Sequence, residues 1–257
     1  RLAELDAEGA ARLLHLRLGG EVQPLALSFV RSLAQGNPFF AEELVDALRE
    51  GALLLETEGT WRLAPALVDA LRRGGCLVRA GGEWELAPAA PLAAIDIGVP
   101  ASIHGLVLSR LDRLPEASKL ALKVASVIGR VFELPLLAAA HPNHPDPHSL
   151  AAELQTLQGR DFTRLETPLP QPIYTFKHNI TQEVVYQTLL QSQREELHVA
   201  IAEALEGQAP QEVERLAHHY AQGDTAQLPV RSKALHYIDA AGRRARKEHA
   251  NETALAY

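Results

Sequence analysis

The sequence predicts a mainly α-helical protein with a few short strands. Three observations carry this. Leu and Ala make up 83 of 257 residues, aromatics only 5%, and β-branched residues are sparse, so strong helix formers dominate. Gly and Pro cut the chain into pieces of helix length. In the second half, three helical stretches are followed by a hairpin pattern, which is winged-helix order.

Each element has a local reason. Glu4–Leu18 carries an imperfect apolar face (Leu5, Leu13, Leu14, Leu16, Leu18) and is stopped by Gly19-Gly20. Pro24–Ala34 is a helix burying Leu25, Leu27, Phe29, Val30 and Leu33, ended by Gln35-Gly36-Asn37-Pro38. Phe39–Glu50 is a third helix. Its acidic first half (Glu42, Glu43) suits the positive end of a helix dipole.

An internal repeat follows. Leu44–Pro65 (LVDALREGALLLETEGTWRLAP) and Leu67–Pro88 (LVDALRRGGCLVRAGGEWELAP) are offset by 23 residues and share 13 identities in 22. Each copy is a helix end, a Gly break and a short hairpin. The strands are Ala52–Glu56 with Thr60–Leu63, and Gly75–Arg79 with Glu83–Leu86, turning at Gly59 and at Gly81-Gly82. Two copies are too few for a solenoid. The bland reading packs Trp61 and Trp84 each on its own helix; the functional one makes them anchors of a duplicated binding hairpin.

Ala87–Val99 is an Ala/Pro linker. Pro100 opens a helix over Ala101–Leu114, and Pro115 opens the next, Glu116–Ile128, closed by Gly129. Leu134–Ala140 is a short helix. His141–His148 (HPNHPDPH) is a loop, and Ser149 caps a helix to Gln158. Phe162–Glu166 and Ile173–Lys177 are strands flanking the Pro-rich turn Thr167–Pro172. Helices over Thr181–Leu190 and Gln193–Glu206 follow, then a break at Gly207–Pro210. From Gln211 the chain reads as paired helices with small residues at packing positions (Ala217, Ala221, Ala234, Ala240, Ala241, Gly242, Ala245).

Composition excludes several classes. One cysteine (Cys76) rules out a disulfide scaffold and a Cys-based zinc site. No apolar run reaches the roughly 18–20 residues a bilayer needs. A net charge of −7 argues against broad nucleic-acid binding. No GxxxxGK[ST] phosphate loop is present, so the isolated chain is not expected to hydrolyse ATP. The chain begins at Arg1 and holds no methionine, as expected of an internal piece of a longer protein.

Three segments carry a family resemblance: LAQGNPFFAEEL (33–44), VPASIHGLVLSRLDRLPEASKLALKVASVIGRVF (99–132) and YTFKHNITQEVVYQTLLQSQREELHVAIAEAL (174–205). Together they resemble the region that follows the nucleotide-binding core in signal-transducing ATPases with numerous domains, the STAND class of P-loop NTPases. The similarity is to large bacterial predicted ATPases linked to cyclase, kinase or LuxR-type domains. The tail, KALHYIDAAGRRARKEHANETALAY, resembles the start of tetratricopeptide-like repeats.

The resemblance implies a layout. Residues 1–50 are a helical lid, 44–88 the duplicated helix-hairpin unit, 89–100 a linker, 101–207 a winged-helix domain, and 208–257 the start of a tetratricopeptide-like array. It implies a cytoplasmic regulatory segment that couples nucleotide state to downstream repeats. ATP or ADP, with Mg, is held through an upstream P-loop core; no cofactor is expected for this chain alone. The partners are that core and the repeats, with protein partners through the repeats, and neither nucleic acid nor membrane.

Two sites are implied residue by residue. Gly36-Asn37-Pro38 resembles a GxP motif in which Pro38 packs on adenine and Gly36 allows close backbone approach; a plain helix-breaking turn is the alternative. His178, in FKHNITQEVV, resembles a histidine that reaches the β-phosphate of ADP; a structural histidine is the alternative. Asn179 departs from the family's Asp.

Other candidates are weaker. His141, His144 and His148 with Asp146 have metal-ligand chemistry but lie in an extended Pro-rich loop. His218 and His219 are adjacent in a helix, point about 100° apart, and are expected to pack rather than share a ligand. Arg243, Arg244, Arg246 and Lys247 read as a solvated helix face. The third winged-helix helix lacks Lys and Arg, which opposes DNA binding. An adaptor with no nucleotide role and a DNA-binding regulator remain as alternative functions.

Overall fold

A computed structural model describes residues 6–88, 90, 92, 102–168 and 171–247. The chain is mainly helical, with twelve α-helices and sheets of two or three short strands among the described residues. It divides into two compact units, Arg1–Arg113 and Leu114–Tyr257.

The first unit opens with α1 (Ala7–Leu18). Asp6 caps it by accepting from the Gly9 amide at 2.7 Å, and Gly19 ends it at φ +69°. Residues 4 and 5, expected in this helix, lie outside the described residues. Helix α2 (Pro24–Ala34) has its expected bounds, and α3 (Pro38–Glu50) starts one residue before the expected position because Pro38 occupies N1. A two-residue strand, β1 (Glu21–Val22), was not expected. It pairs in parallel with β3 (Thr60–Leu63), which is antiparallel to β2 (Leu54–Thr57).

The sequence repeat is also a repeat of hydrogen bonds. α3 ends at Gly51 and α4 (Pro65–Arg73) at Gly74, with nearly identical backbone angles. The next residue is left-handed in both copies: Ala52 at φ +53° and Gly75 at φ +69°. Leu53 then donates to the Leu48 carbonyl and Cys76 to that of Leu71. Each hairpin closes through Ala64→Leu53 and Ala87→Cys76, both 2.8 Å. The second hairpin is β4 (Leu77–Ala80) with β5 (Glu83–Leu86).

Both hairpins face α2, and one apolar core holds Leu14, Phe29, Leu44 and Leu54 together with Leu71, Cys76 and Leu77. The second copy therefore extends the core of the first. Trp61 corrects the bland expectation: its indole donates to the Leu18 carbonyl at the end of α1, 3.1 Å away, not to its own helix. Trp84 lies under the Arg79 guanidinium. Of the expected linker 87–99, the described Leu92 is buried in this core.

Helix α5 (Ile103–Asp112) is capped by Ser102 and packs on α3. Pro100, expected to open it, lies outside the described residues. The unit boundary follows α5, inside the span 101–207 expected to be one domain.

The second unit runs α6 (Glu116–Ile128), β6 (Val131–Glu133), α7 (Leu134–Ala140), α8 (Pro147–Gly159), β7 (Thr163–Thr167) and β8 (Ile173–Phe176). β8 lies between β6 and β7 and is antiparallel to both. The unexpected β6 completes this sheet, and Phe132 stacks on Tyr174 across it. The cap of α8 is Asp146, not Ser149: its carboxylate accepts from the His148 and Ser149 amides at 3.0 and 3.1 Å. The helix starts three residues early because Pro147 sits at N1, where a missing N–H costs nothing.

α9 (Asn179–Gln187), α10 (Gln191–Gln208), α11 (Val213–Gln222) and α12 (Leu228–Lys247) complete the unit. α10 runs through Gly207, where a break was expected. Ala217, Ala234, Ala241 and Ala245 are buried as expected; Ala221 is exposed. No described helix is long and apolar enough to cross a membrane.

Candidate functional site

Gly36 lies in a tight reversal between α2 and α3. Gln35 and Gly36 are both left-handed, at φ +47° and +79°. Asn37 donates to the Ala34 carbonyl through its amide and accepts from the Phe40 amide at 3.2 Å through its side chain. Pro38 is half-buried at N1 of α3. The segment is thus an αL C-cap followed by an Asn N-cap, and Gly36 supplies the positive φ.

A buried ionic cluster stands behind α3. Arg110 of α5 is 1% exposed, as is Glu43, and Asp46 is fully buried. The Arg110 guanidinium contacts Glu43, lies 3.6 Å from Asp46 and 3.4 Å from Glu50. Arg17 of α1 forms a fork on Asp46 at 3.0 and 2.6 Å. Desolvation lowers the Arg110 pKa, but the three carboxylates outweigh it and hold it above its usual value. Glu43, expected to serve the helix dipole, is instead a buried ion-pair partner.

His178 occupies the junction between β8 and α9. It is the residue before α9, half-buried, with extended backbone, and the Thr181 amide donates to its carbonyl at 3.2 Å. Gly36 and Pro38 belong to the first unit and His178 to the second.

A cluster not foreseen from the sequence lies between α10 and α11. His198 is 3% exposed and His219 2%, and their Nδ1 atoms are 2.9 Å apart. His218 is exposed and joins them: one ligand nitrogen from each of the three lies within 4.8 Å of the others. Tyr186 Oη sits 3.3 Å from His198 Nε2. His218 and His219 pack as expected, and their rings also approach each other. Adjacent helical positions diverge at Cβ, yet side-chain torsions bring the two rings to 5.1 Å, and α10 supplies His198 between them.

Electrostatics keep these rings neutral. Burial, then His218 and Arg194, push His198 down to about 4. Burial, then His198, His218 and Arg215, push His219 down to about 3. Burial also lowers His218. Beside them, Glu206 of α10 accepts from Lys233 and Tyr237 of α12 at 2.7 and 2.8 Å, and Lys233 also donates to Tyr220 of α11 at 3.0 Å.

The remaining candidates do not converge. His141 is buried, its Nδ1 accepting from the Asn143 amide at 3.2 Å, while Asp146 caps α8. Of the basic cluster, Arg243 pairs with Asp239 on its own helix, Arg244 donates to the Gln211 carbonyl, and Arg246 to that of Gly242. Burial raises the Cys76 thiol pKa, the opposite of a reactive thiolate.

The geometry thus defines a mainly helical chain whose polar features include a capped turn, a buried ionic cluster, a strand-to-helix histidine and a three-histidine cluster. No protein-family model matches it. A stretch of 99 residues is 34% identical to part of an uncharacterized protein of Rhizobium meliloti (strain 1021). The match covers 38% of this chain and 9% of that protein's length.

Proposed function

We propose that this chain is the regulatory segment of a multidomain signalling ATPase of the STAND class, coupling nucleotide state in an upstream P-loop core to downstream helical repeats. The observation that supports the reading is the order α6–β6–α7–α8–β7–β8 with β8 central in the sheet, which is compatible with the winged-helix order expected from the sequence. α1 to α3 then serve as the lid, and α11 and α12 open a tetratricopeptide-like array. The Rhizobium meliloti relative is consistent with a large parent, since 99 residues are 9% of it, or about 1,100 in all. ATP or ADP, with Mg, belongs to the upstream core.

In this reading Pro38 offers an apolar ring to adenine and Gly36 a close backbone approach. His178, at a strand-to-helix junction, donates to a phosphate oxygen of ADP. The nucleotide would bias a two-state arrangement of lid and winged helix. The test uses the full-length parent. His178→Ala is expected to speed ADP release about tenfold, the worth of one charge-assisted hydrogen bond, while the isolated chain shows no ATPase activity. An unchanged ADP off-rate removes the sensor role.

A second reading, a protein-interaction adaptor, is favoured by α12. Leu228 and Leu235, 78% and 60% exposed, lie seven residues apart on one side of that helix. Loss of a protein partner in Leu228→Asp/Leu235→Asp, with ADP binding by the parent intact, would favour it. DNA binding has no such support, because α8 carries no Lys or Arg.

A further inference from the structure

Two buried imidazoles meet an exposed third with no carboxylate among the three. A buried neutral imidazole needs a partner for its N–H and another for its bare nitrogen. Here two nearly inaccessible rings meet Nδ1 to Nδ1 at 2.9 Å, and the third stands at the solvent-facing edge. In the ion-free form one of the two Nδ1 atoms carries the hydrogen that the other accepts.

We propose that His198, His218 and His219 form a site for a divalent transition metal of the zinc class, joining α10 to α11, with solvent as the fourth ligand on the His218 side. The donor set selects the metal. Neutral imidazole nitrogen suits Zn²⁺, Ni²⁺, Co²⁺ and Cu²⁺, whereas Ca²⁺ and Mg²⁺ require oxygen. Burial first, with Arg194 and Arg215 adding to it, holds the buried rings unprotonated. The two arginines favour open lone pairs, and they also oppose weakly bound cations.

The distances are compatible. Zn–N bonds of about 2.0–2.1 Å in a tetrahedron put ligand nitrogens about 3.3 Å apart. The Nδ1 pair must open by a few tenths of an ångström. His218, whose ring is exposed, swings in from separations of at most 4.8 Å. Tyr186 supplies an outer partner: with Nε2–H of His198 directed at its hydroxyl, 3.3 Å away, His198 Nδ1 is left as the ligand. The hydrogen on His219 Nδ1 moves to its own Nε2 as the ion enters, so neutral rings take up the metal with no net proton released.

The site also has a structural consequence. α10 and α11 are joined by a short turn, and Glu206, Lys233, Tyr220 and Tyr237 already tie them to α12. A bound ion would add a direct tie between α10 and α11 at His198 and His219.

The experiment is calorimetric titration of the chelator-stripped chain with zinc sulfate near neutral pH, with Co²⁺ absorption as a second probe. One equivalent per chain and the visible bands of tetrahedral Co²⁺ are expected. His218→Ala changes an exposed ligand and leaves the buried pair, so the fold is retained, and circular dichroism verifies that. It should weaken zinc by roughly 100-fold or more, at least the loss seen when an outer partner is removed. His144→Ala/His148→Ala, in the Pro-rich loop, should leave binding unchanged. Absence of saturable uptake, uptake that survives His218→Ala, or uptake lost with the loop variant would each overturn the proposal.

Discussion

Arg110→Met tests how the first unit is held together. The substitution keeps an unbranched side chain of similar length and removes a guanidinium that is 1% exposed. Asp46 keeps the Arg17 fork at 3.0 and 2.6 Å, and Glu50 is partly solvated. Glu43 is left as a carboxylate, 1% exposed, beside the fully buried Asp46. Breaking a buried pair from one side costs about 3–5 kcal/mol, because an uncompensated charge remains. That is a large share of the roughly 5–15 kcal/mol that stabilises a typical domain. The assay is urea unfolding followed by tryptophan fluorescence. The two tryptophans are Trp61 and Trp84, both in the first unit, so the signal reports that unit alone. With a urea slope of about 1.5 kcal/mol/M, the midpoint should fall by roughly 2–3 M. Adding Glu43→Gln to Arg110→Met removes the stranded charge and should recover at least about 2 kcal/mol. A loss under about 1 kcal/mol for the single variant, or a double variant no better than the single, would refute the reasoning.

Two further outcomes are expected. Gly75→Ala places a side chain at φ +69° and should cost about 1 kcal/mol; Ala52→Gly, at the equivalent φ +53°, should not destabilise, both read by the same fluorescence. The metal-free second unit should weaken as pH falls. Unfolded histidine binds protons below about 6.5, while folded His198 and His219 resist them down to about 4 and about 3. The unfolded state therefore takes up more protons between those values, and the penalty is absent above about pH 6.5 and grows toward pH 4. It should reach on the order of 3 kcal/mol for His198 alone, seen as a falling urea midpoint of the helical circular dichroism signal; a midpoint independent of pH from 7 to 4 would contradict it.

What could be read from the sequence were elements whose ends have local causes. α2 and α6 have the expected bounds because proline sits at or just before their first residue, and glycine ends α6; α7 also has its expected bounds, with Pro135 as its second residue. The repeated hairpins were legible because a 23-residue offset preserves the glycine turns. β1 and β6 were not: strands of two and three residues have no period to detect and exist only because β3 and β8 offer them a free edge. α8 begins before its expected cap because proline, a helix breaker in the interior, is preorganised at N1.

The candidate sites divide along the same line. The Gly36 turn and the position of His178 follow from contiguous residues, so sequence sufficed for their local geometry. The buried cluster joins Glu43 to Arg110 across 67 residues, and the histidine cluster joins His198 to His219 across 21. No short-range spacing encodes either pairing; each depends on which helix faces meet. The 100° step between adjacent helical residues separates His218 from His219. That step describes Cβ directions only. An imidazole reaches several ångströms beyond Cβ, so two neighbours on a helix edge can close on a third ring presented by the opposing helix. The relevant unit for metal-ligand geometry is therefore the α10–α11 pair, and a histidine in one helix gains meaning only when the facing helix also offers one at the crossing.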